Sequence, residues 1–204
     1  MLDRAAQALI APLLQVGARR LVAWRVPADA VTLVGFAVGL AGAGLIAAGH
    51  PQAGLGAILA SRLADGLDGA VARATQPTDR GAFLDITLDF LFYASVPLAF
   101  ALADPAANAL AAAVLLAAFI GTGSSFLAFA VLAERRGLKS LAYPGKGLYY
   151  LGGLTEATET LLCFALMCLM PAWFAPLALG FAGLCALTLL ARLHAGWHSL
   201  GAST

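Results

Sequence analysis

The sequence predicts an all-α membrane protein in which six transmembrane helices follow an N-terminal amphipathic helix lying on the membrane surface. Three observations carry this expectation. Of 204 residues, 61% are hydrophobic and 11% charged, with a mean hydropathy of +0.88. A soluble domain is nearer half apolar and a quarter charged. Apolar stretches of about 20 residues, the length a helix needs to cross hydrocarbon, recur six times. The twelve basic residues gather at alternate connections, the pattern that marks a cytoplasmic face.

Residues 1–25 come first. Leu2, Ala5, Leu9, Leu13 and Val16 recur at helical spacing ahead of Arg19 and Arg20, which suits a helix in the interface plane. A signal peptide fits less well, because Asp3 and Pro12 interrupt the run and no cleavage site follows. The six spans are expected at 31–49, 52–73, 82–103, 106–133, 148–170 and 173–192. Between them lie GHPQ (49–52), TQPTDR (75–80), Asp104-Pro105, ERRGLKSLAYPGKG (134–147) and PAW (171–173), all with turn or breaker chemistry. No linker, repeat or low-complexity tail divides the chain, so residues 1–204 read as one membrane domain, with the bundle at 31–192.

Orientation follows from charge. Arg4, Arg19, Arg20 and Arg25 precede the first span, and Arg62, Arg73 and Arg80 lie in or beside the second connection. Arg135, Arg136, Lys139 and Lys146 form the fourth, and Arg192 closes the last span. Both termini are therefore expected on the cytoplasmic side. The net charge of +1 comes with no basic stripe interleaved with aromatics, so nucleic acid is not an expected partner. Cys163, Cys168 and Cys185 fall inside spans and read as small buried apolar residues rather than a disulfide or thiolate site. His50, His194 and His198 sit at span ends and read as interfacial.

Four carboxylates break the hydrocarbon pattern. Asp65 and Asp68 are three apart and Asp85 and Asp89 four apart, so each pair shares a helix face. Counted from the turn at Pro77, Asp68 matches Asp85 and Asp65 matches Asp89. An antiparallel hairpin would bring all four together, roughly 8 to 15 Å below the membrane surface. An intramembrane Asp costs about 2.5 to 3.5 kcal/mol on the insertion scale, so the set needs a compensating partner. Arg62, Arg73 and Arg80 offset part of the charge. All-oxygen ligands are what Mg²⁺, Mn²⁺ or Ca²⁺ selects, and one or two such ions are the economical solution. Gly66, Gly69 and Ala72 form a small-residue strip beside the acids, suited either to close helix packing or to approach of a phosphate-bearing ligand.

Asp65, Asp68, Gly69, Ala72, Arg73, Gly81, Asp85 and Asp89 together resemble the signature of the CDP-alcohol phosphotransferase (CDP-alcohol phosphatidyltransferase) family, D-x-x-D-G-x-x-A-R followed by G-x-x-x-D-x-x-x-D. The spacer between Arg73 and Gly81 is seven residues, slightly short for the pattern. The resemblance implies a membrane homodimer, set in a bacterial inner membrane, that transfers a phosphoalcohol from a CDP-linked donor to an acceptor hydroxyl and releases CMP. It implies Mg²⁺ or Mn²⁺, as two ions, held by Asp65, Asp68, Asp85 and Asp89, with Asp89 also the general base. It places Gly66, Gly69, Ala72, Arg73 and Gly81 on the nucleotide side, together with Asp29 and Thr32 at the start of the first span, where relatives often carry Asn in the position of Asp29.

Candidates for the acceptor are Arg135, Arg136 and Lys139, which would suit a phosphorylated alcohol, and Glu156 and Glu159. These two glutamates share a face about 12 Å into the fifth span if that helix starts at Leu148. The leading expectation is transfer of a phosphatidyl group from CDP-diacylglycerol to a small polar alcohol, within a membrane of lipids. A CDP-choline or CDP-ethanolamine donor with diacylglycerol as acceptor is the alternative within the class. A divalent cation transporter is the alternative outside it, because acids facing one another in a bundle can form an ion path.

Overall fold

The computed structural model describes residues 2–136 and 154–201 and is all helical among them. Helix α1 spans Leu2–Ala23, α2 Ala28–Ala47, α3 Pro51–Ala74, α4 Asp79–Ala103, α5 Pro105–Arg135, α6 Ala157–Leu169 and α7 Phe174–Gly201, with a 3-10 turn at Pro171–Trp173. The breaks after α2, α3 and α4 fall where the turn chemistry places them, while the connection expected at 134–147 lies mostly outside the described residues. Pro51 and Pro105 each open a helix at its first turn, where a missing N–H costs nothing. Thr78 Oγ1 accepts from the Gly81 N–H at 3.0 Å and Asp104 Oδ1 from the Ala107 N–H at 3.1 Å, capping α4 and α5. Each cap satisfies an N–H that the helix itself leaves open.

Among the described residues, four stretches are long and apolar enough to cross a membrane: Ala28–Ala47, Asp79–Ala103, Pro105–Arg135 and Pro171–Gly201. Two of the six expected spans fall short of that standard, for different reasons. Helix α3 has 24 residues, ample length, but it carries Arg62, Asp65, Asp68 and Arg73. The 13 residues of α6 reach only about 20 Å at 1.5 Å per residue. The span expected at 148–170 thus appears as a helix only from Ala157, and residues 148–153 lie outside the described residues, as does Lys139.

Small residues set the tightest packing. On α2, a Cβ at Gly35 would stand 2.8 Å from Ala64 Cβ, and one at Gly42 3.0 Å from the Gly54 carbonyl oxygen of α3. Backbones can approach this closely only where side chains are absent. Helix α2 accordingly packs along α3 more extensively than any other pair, and along α4 as well. The sequence predicts α3 and α4 packed directly as a hairpin; instead they make at most marginal backbone contact among the described residues. Helix α2 is the wall that holds both, its glycines Gly35, Gly39 and Gly42 facing α3 and Phe92 of α4 at close range.

Behind this trio, α5 packs along α7. The main core joins Phe92, Val96 and Phe100 of α4 to Leu115 of α5, Phe164 and Met167 of α6, and Phe174 of α7. Phe100 and Phe174 stack at 4.5 Å, a geometry that adds to plain area burial. Cys163, Cys168 and Cys185 are buried free thiols, as expected. Helix α1 docks on α3 through Ala18, Leu14, Leu21 and Val22 against Ala70 and Val71. Its Leu13 and Val16 remain exposed, so apolar side chains occupy two faces of the helix. Successive helices alternate in direction, which returns Asp29, the aspartate pairs, Arg135 and Arg192 to one end of the bundle.

Candidate active site

Three helices build the site at that end. Thr32, Gly35 and Phe36 of α2, Ser61, Arg62 and Asp65 of α3, and Asp85, Leu88 and Asp89 of α4 line one cleft. The 3-residue and 4-residue spacings aim each acid pair inward from its own helix. Asp65, Asp68 and Asp85 each offer a carboxylate oxygen within 4.8 Å of the other two. Although α3 and α4 hardly touch, their carboxylates converge across the gap that α2 spaces.

Such a spacing is near what a hard dication could gather, since oxygens on opposite sides of Mg²⁺ stand about 4 Å apart and around Ca²⁺ about 5 Å. Asp68 is only 5% exposed, and its Oδ2 is buried with no hydrogen-bond partner. A buried carboxylate oxygen left so is costly unless a cation meets it. The donor set is all oxygen, the chemistry of Mg²⁺, Mn²⁺ and Ca²⁺ rather than of Zn²⁺.

Asp89 lines the same cleft but is not one of the three acids whose oxygens all lie within 4.8 Å of one another. Its Oδ1 accepts a hydrogen bond from Arg62 Nη1, and the same nitrogen lies 3.4 Å from Asp65 Oδ1. The Arg62 guanidinium sits 3.9 Å over the Phe92 ring and 5.6 Å from the Tyr93 ring. Such cation–π contacts strengthen when shielded from water. Sequence reasoning assigned Arg62 only a share in charge balance; its signal was the position one turn before Asp65.

The nucleotide-side candidates divide. Thr32 is buried in the cleft wall, its Oγ1 donating to the Ala28 carbonyl at 3.1 Å. Asp29 Oδ2 accepts two hydrogen bonds from Arg80, from Nε at 3.0 Å and Nη2 at 2.6 Å. A Cβ at Gly81 would stand 3.1 Å from Asp29 Oδ1, and one at Gly69 3.2 Å from Arg73 Nη1, so both glycines sit beside charged groups. At Gly66 a Cβ would meet the Leu14 side chain of α1 at 2.9 Å. Ala72 is half-buried.

The acceptor candidates lie elsewhere. Arg135 and Arg136 are exposed at the end of α5. Glu156 and Glu159 are not partway along a helix, as the hydropathy suggested, but at its start. Glu156 is the N-cap of α6, and with Glu159 it forms a capping box in which Glu159 Oε2 accepts from the Glu156 N–H at 3.1 Å. The cap explains two acids in an apolar stretch, because free N–H groups at a helix start attract carboxylates. Arg192, taken from sequence as a topological marker, is buried between α5 and α7, donating from Nη1 to the Thr122 carbonyl at 2.9 Å.

The profile of CDP-alcohol phosphatidyltransferases matches residues 25–193, which include every residue of the cleft. The chain belongs to the CDP-alcohol phosphatidyltransferase family. It is therefore a transferase of substituted phosphate groups. It is 53% identical over 200 residues to inner membrane protein YnjF of Escherichia coli, covering 98% of this chain and 97% of that one. Its fold is similar to phosphatidylinositol phosphate synthase of Mycobacterium tuberculosis crystallised with CDP-DAG, at 24% identity and a TM-score of 0.74, covering 91% of this chain and 94% of that one. The same synthase in complex with manganese and citrate matches with a TM-score of 0.72 at 24% identity, over 90% and 88% of the two chains.

Proposed function

We propose that this transferase moves the phosphatidyl group of CDP-diacylglycerol onto the hydroxyl of a small polar alcohol, releasing CMP, and that it needs Mg²⁺ or Mn²⁺ to do so. The observation that carries the reading is the triad of Asp65, Asp68 and Asp85, with oxygens within 4.8 Å and the Asp68 Oδ2 buried and unpartnered. Such a triad could hold a hard dication, and it is set inside a phosphatidyltransferase signature. Asp65, Asp68 and Asp85 would hold the ion, which would supply positive charge against the negative charge developing on the diphosphate. Two solved forms of the structurally similar synthase, one with CDP-DAG and one with manganese, support the same donor and ion class.

The chain's own groups do the rest. Asp89 receives the acceptor's proton; Arg62 holds its Oδ1, which leaves Oδ2 for the hydroxyl. Thr32, Asp29, Gly69, Ala72, Arg73 and Gly81 border the nucleotide, and Arg135, Arg136 and Lys139 meet the acceptor side. The protein works as one domain of six spans with both termini cytoplasmic, as a homodimer in a bacterial inner membrane. Leu13 and Val16 of α1 meet lipid. An ion path is the weaker reading, because among the described residues the acids crowd one end of the bundle. Asp104, at the other end, is the cap of α5.

Purified protein incubated with CDP-diacylglycerol and a panel of serine, inositol, inositol phosphate, glycerol phosphate and phosphatidylglycerol tests the proposal. CMP release should require Mg²⁺ or Mn²⁺, yield one lipid product, and fall by about 10² to 10⁴ in Asp89→Asn, the range of a lost general base. Turnover of CDP-choline or CDP-ethanolamine with diacylglycerol, and of no CDP-diacylglycerol, would reverse the donor assignment.

A further inference from the structure

Away from the aspartate cleft, two metal-binding side chains share one helix face. His194 and His198 lie four residues apart on α7, their ring centroids separated by 4.5 Å at an interplanar angle of 68°, and both are exposed. We propose that they form a second metal site, which takes a borderline dication of the Zn²⁺, Ni²⁺ and Cu²⁺ class. The inference does not rest on the phosphatidyl-transfer reading.

Spacing and separation both agree with a shared ion. Residues at i and i+4 are neighbours on a helix surface, and two histidines at that interval hold Zn²⁺ in H-E-x-x-H helices. An imidazole nitrogen binds Zn²⁺ at about 2.0 to 2.1 Å, which puts the ring centroid about 3.2 Å from the metal. Two rings meeting one ion at about 90° to 110° therefore have centroids about 4.5 to 5.2 Å apart. The observed separation lies at the short end of that range.

The position also suits a cation. Helix α7 has 28 residues, about 42 Å of helix, whereas the hydrocarbon core is about 30 Å thick. His194 stands about 30 Å along the helix from Phe174, so the pair falls where α7 leaves the hydrocarbon. Trp197, 81% exposed, lies between the two histidines in sequence and suits that boundary. The opposite face is occupied: Arg192 donates to the Thr122 carbonyl of α5, and a Cβ at Gly196 would stand 3.4 Å from Phe129. The open carbonyls of the last turn form the negative end of the helix dipole, which favours a cation there. From Leu193 to Gly201 the helix carries no Lys, Arg, Asp or Glu, so no fixed charge of its own competes with the ion.

Imidazole nitrogen selects borderline ions, as an all-oxygen set selects hard ones. The two sites therefore differ in the ions they take. With two protein ligands, water fills the remaining positions and the ion exchanges. While bound, it links successive turns and holds the end of α7 helical.

The test uses full-length protein without an affinity tag, in detergent with excess Mg²⁺, and Cu²⁺ as the probe, read by electron paramagnetic resonance. The wild type should bind one Cu²⁺ per chain in a species coupled to two nitrogens. His194→Ala and His198→Ala should each lose the two-nitrogen signal and weaken binding by at least about tenfold, the cost of losing even an outer partner of a metal ligand. His198→Ala/Ser199→His keeps two imidazoles but turns them onto different faces of the helix, and should behave like His198→Ala. Asp68→Asn should leave the signal intact. Because these histidines are exposed, circular dichroism should show each histidine variant folded as the wild type is. No bound Cu²⁺, copper held through oxygen alone, a two-nitrogen signal that survives in a single variant or in the relocated pair, or its loss in Asp68→Asn would each overturn the proposal. None of these results bears on Mg²⁺-dependent CMP release, which is measured separately.

Discussion

Arg80 reaches across 51 positions of sequence to place two hydrogen bonds on one oxygen of Asp29, tying the start of α4 to the start of α2. Asp29 stands in the first turn of α2, where a carboxylate is favoured by the helix dipole. The pair ties together two of the helices that wall the cleft, without itself lining it.

Arg80 is 83% exposed at its side chain, so the pair adds at most about 1 kcal/mol to folding. Its larger effect should be on donor binding. With Asp29 on the nucleotide side, as proposed, Arg80→Ala would leave its carboxylate uncompensated beside the diphosphate, and KM for CDP-diacylglycerol should rise about fivefold, equivalent to roughly 1 kcal/mol. Arg80→Lys keeps the charge and should show a smaller rise. Steady-state kinetics on both variants decides: a changed melting temperature with unchanged KM would make the pair purely structural.

Asp68 should trade stability against metal binding. With its Oδ2 buried and unpartnered, the carboxylate destabilises the metal-free fold. Asp68→Asn removes the charge, and in EDTA it should be more stable than the wild type by about 1 to 3 kcal/mol. Added Mn²⁺ should raise the wild-type melting temperature by mass action and leave that of the variant unmoved. Thermal unfolding with EDTA and with Mn²⁺ gives all four values. Destabilisation of Asp68→Asn in EDTA would show that the carboxylate has a structural partner instead.

The glycine face of α2 predicts a contrast between two alanine substitutions. A Cβ at Gly39 would lie 2.7 Å from Phe92 Cδ2 and 2.7 Å from Ser61 Oγ, whereas nothing stands within 4 Å of one at Gly56 on α3. Gly39→Ala should destabilise by about 1 to 3 kcal/mol through overpacking. It should also impair activity, because Phe92 carries the Arg62 guanidinium. Gly56→Ala should be neutral or stabilise by up to about 1 kcal/mol, the helix preference of Ala over Gly. Unfolding curves in the same detergent would expose a failure if the two variants melted alike.

Much of the site was legible because helical spacing is local. The i,i+3 and i,i+4 intervals put Asp65 with Asp68 and Asp85 with Asp89, and counting from Pro77 matched Asp68 to Asp85, which do converge. Which helix stands between others is a tertiary matter. Gly35, Gly39 and Gly42 advertise a packing face on α2, yet nothing local says that it would take up α3 and α4 both. Arg62 lay in view one turn before Asp65, but its direction depends on Phe92 and Tyr93, thirty positions on. At the other extreme, Arg25 turns the chain after α1 with a φ of 56°, a left-handed turn for which sequence signals favour glycine. Gly49 takes the equivalent place after α2, at 83°, and that turn is readable.

Glu159 separates a helix cap from a substrate contact. The glutamates looked intramembrane because hydropathy stays high from Leu148 onward; the capping interval of three residues between Glu156 and Glu159 was the competing local signal, and it marks the start of α6. Glu159 Oε2 accepts from the Glu156 N–H, and an amide oxygen can do the same. Glu159→Gln should therefore keep both stability and acceptor KM, while Glu159→Ala should lose about 0.5 to 2 kcal/mol of stability, the usual cost of a lost cap. An acceptor contact makes a different demand, because binding a cationic headgroup needs the charge that Gln lacks. A rise in acceptor KM for Glu159→Gln, with its melting temperature unchanged, would return the residue to the substrate side.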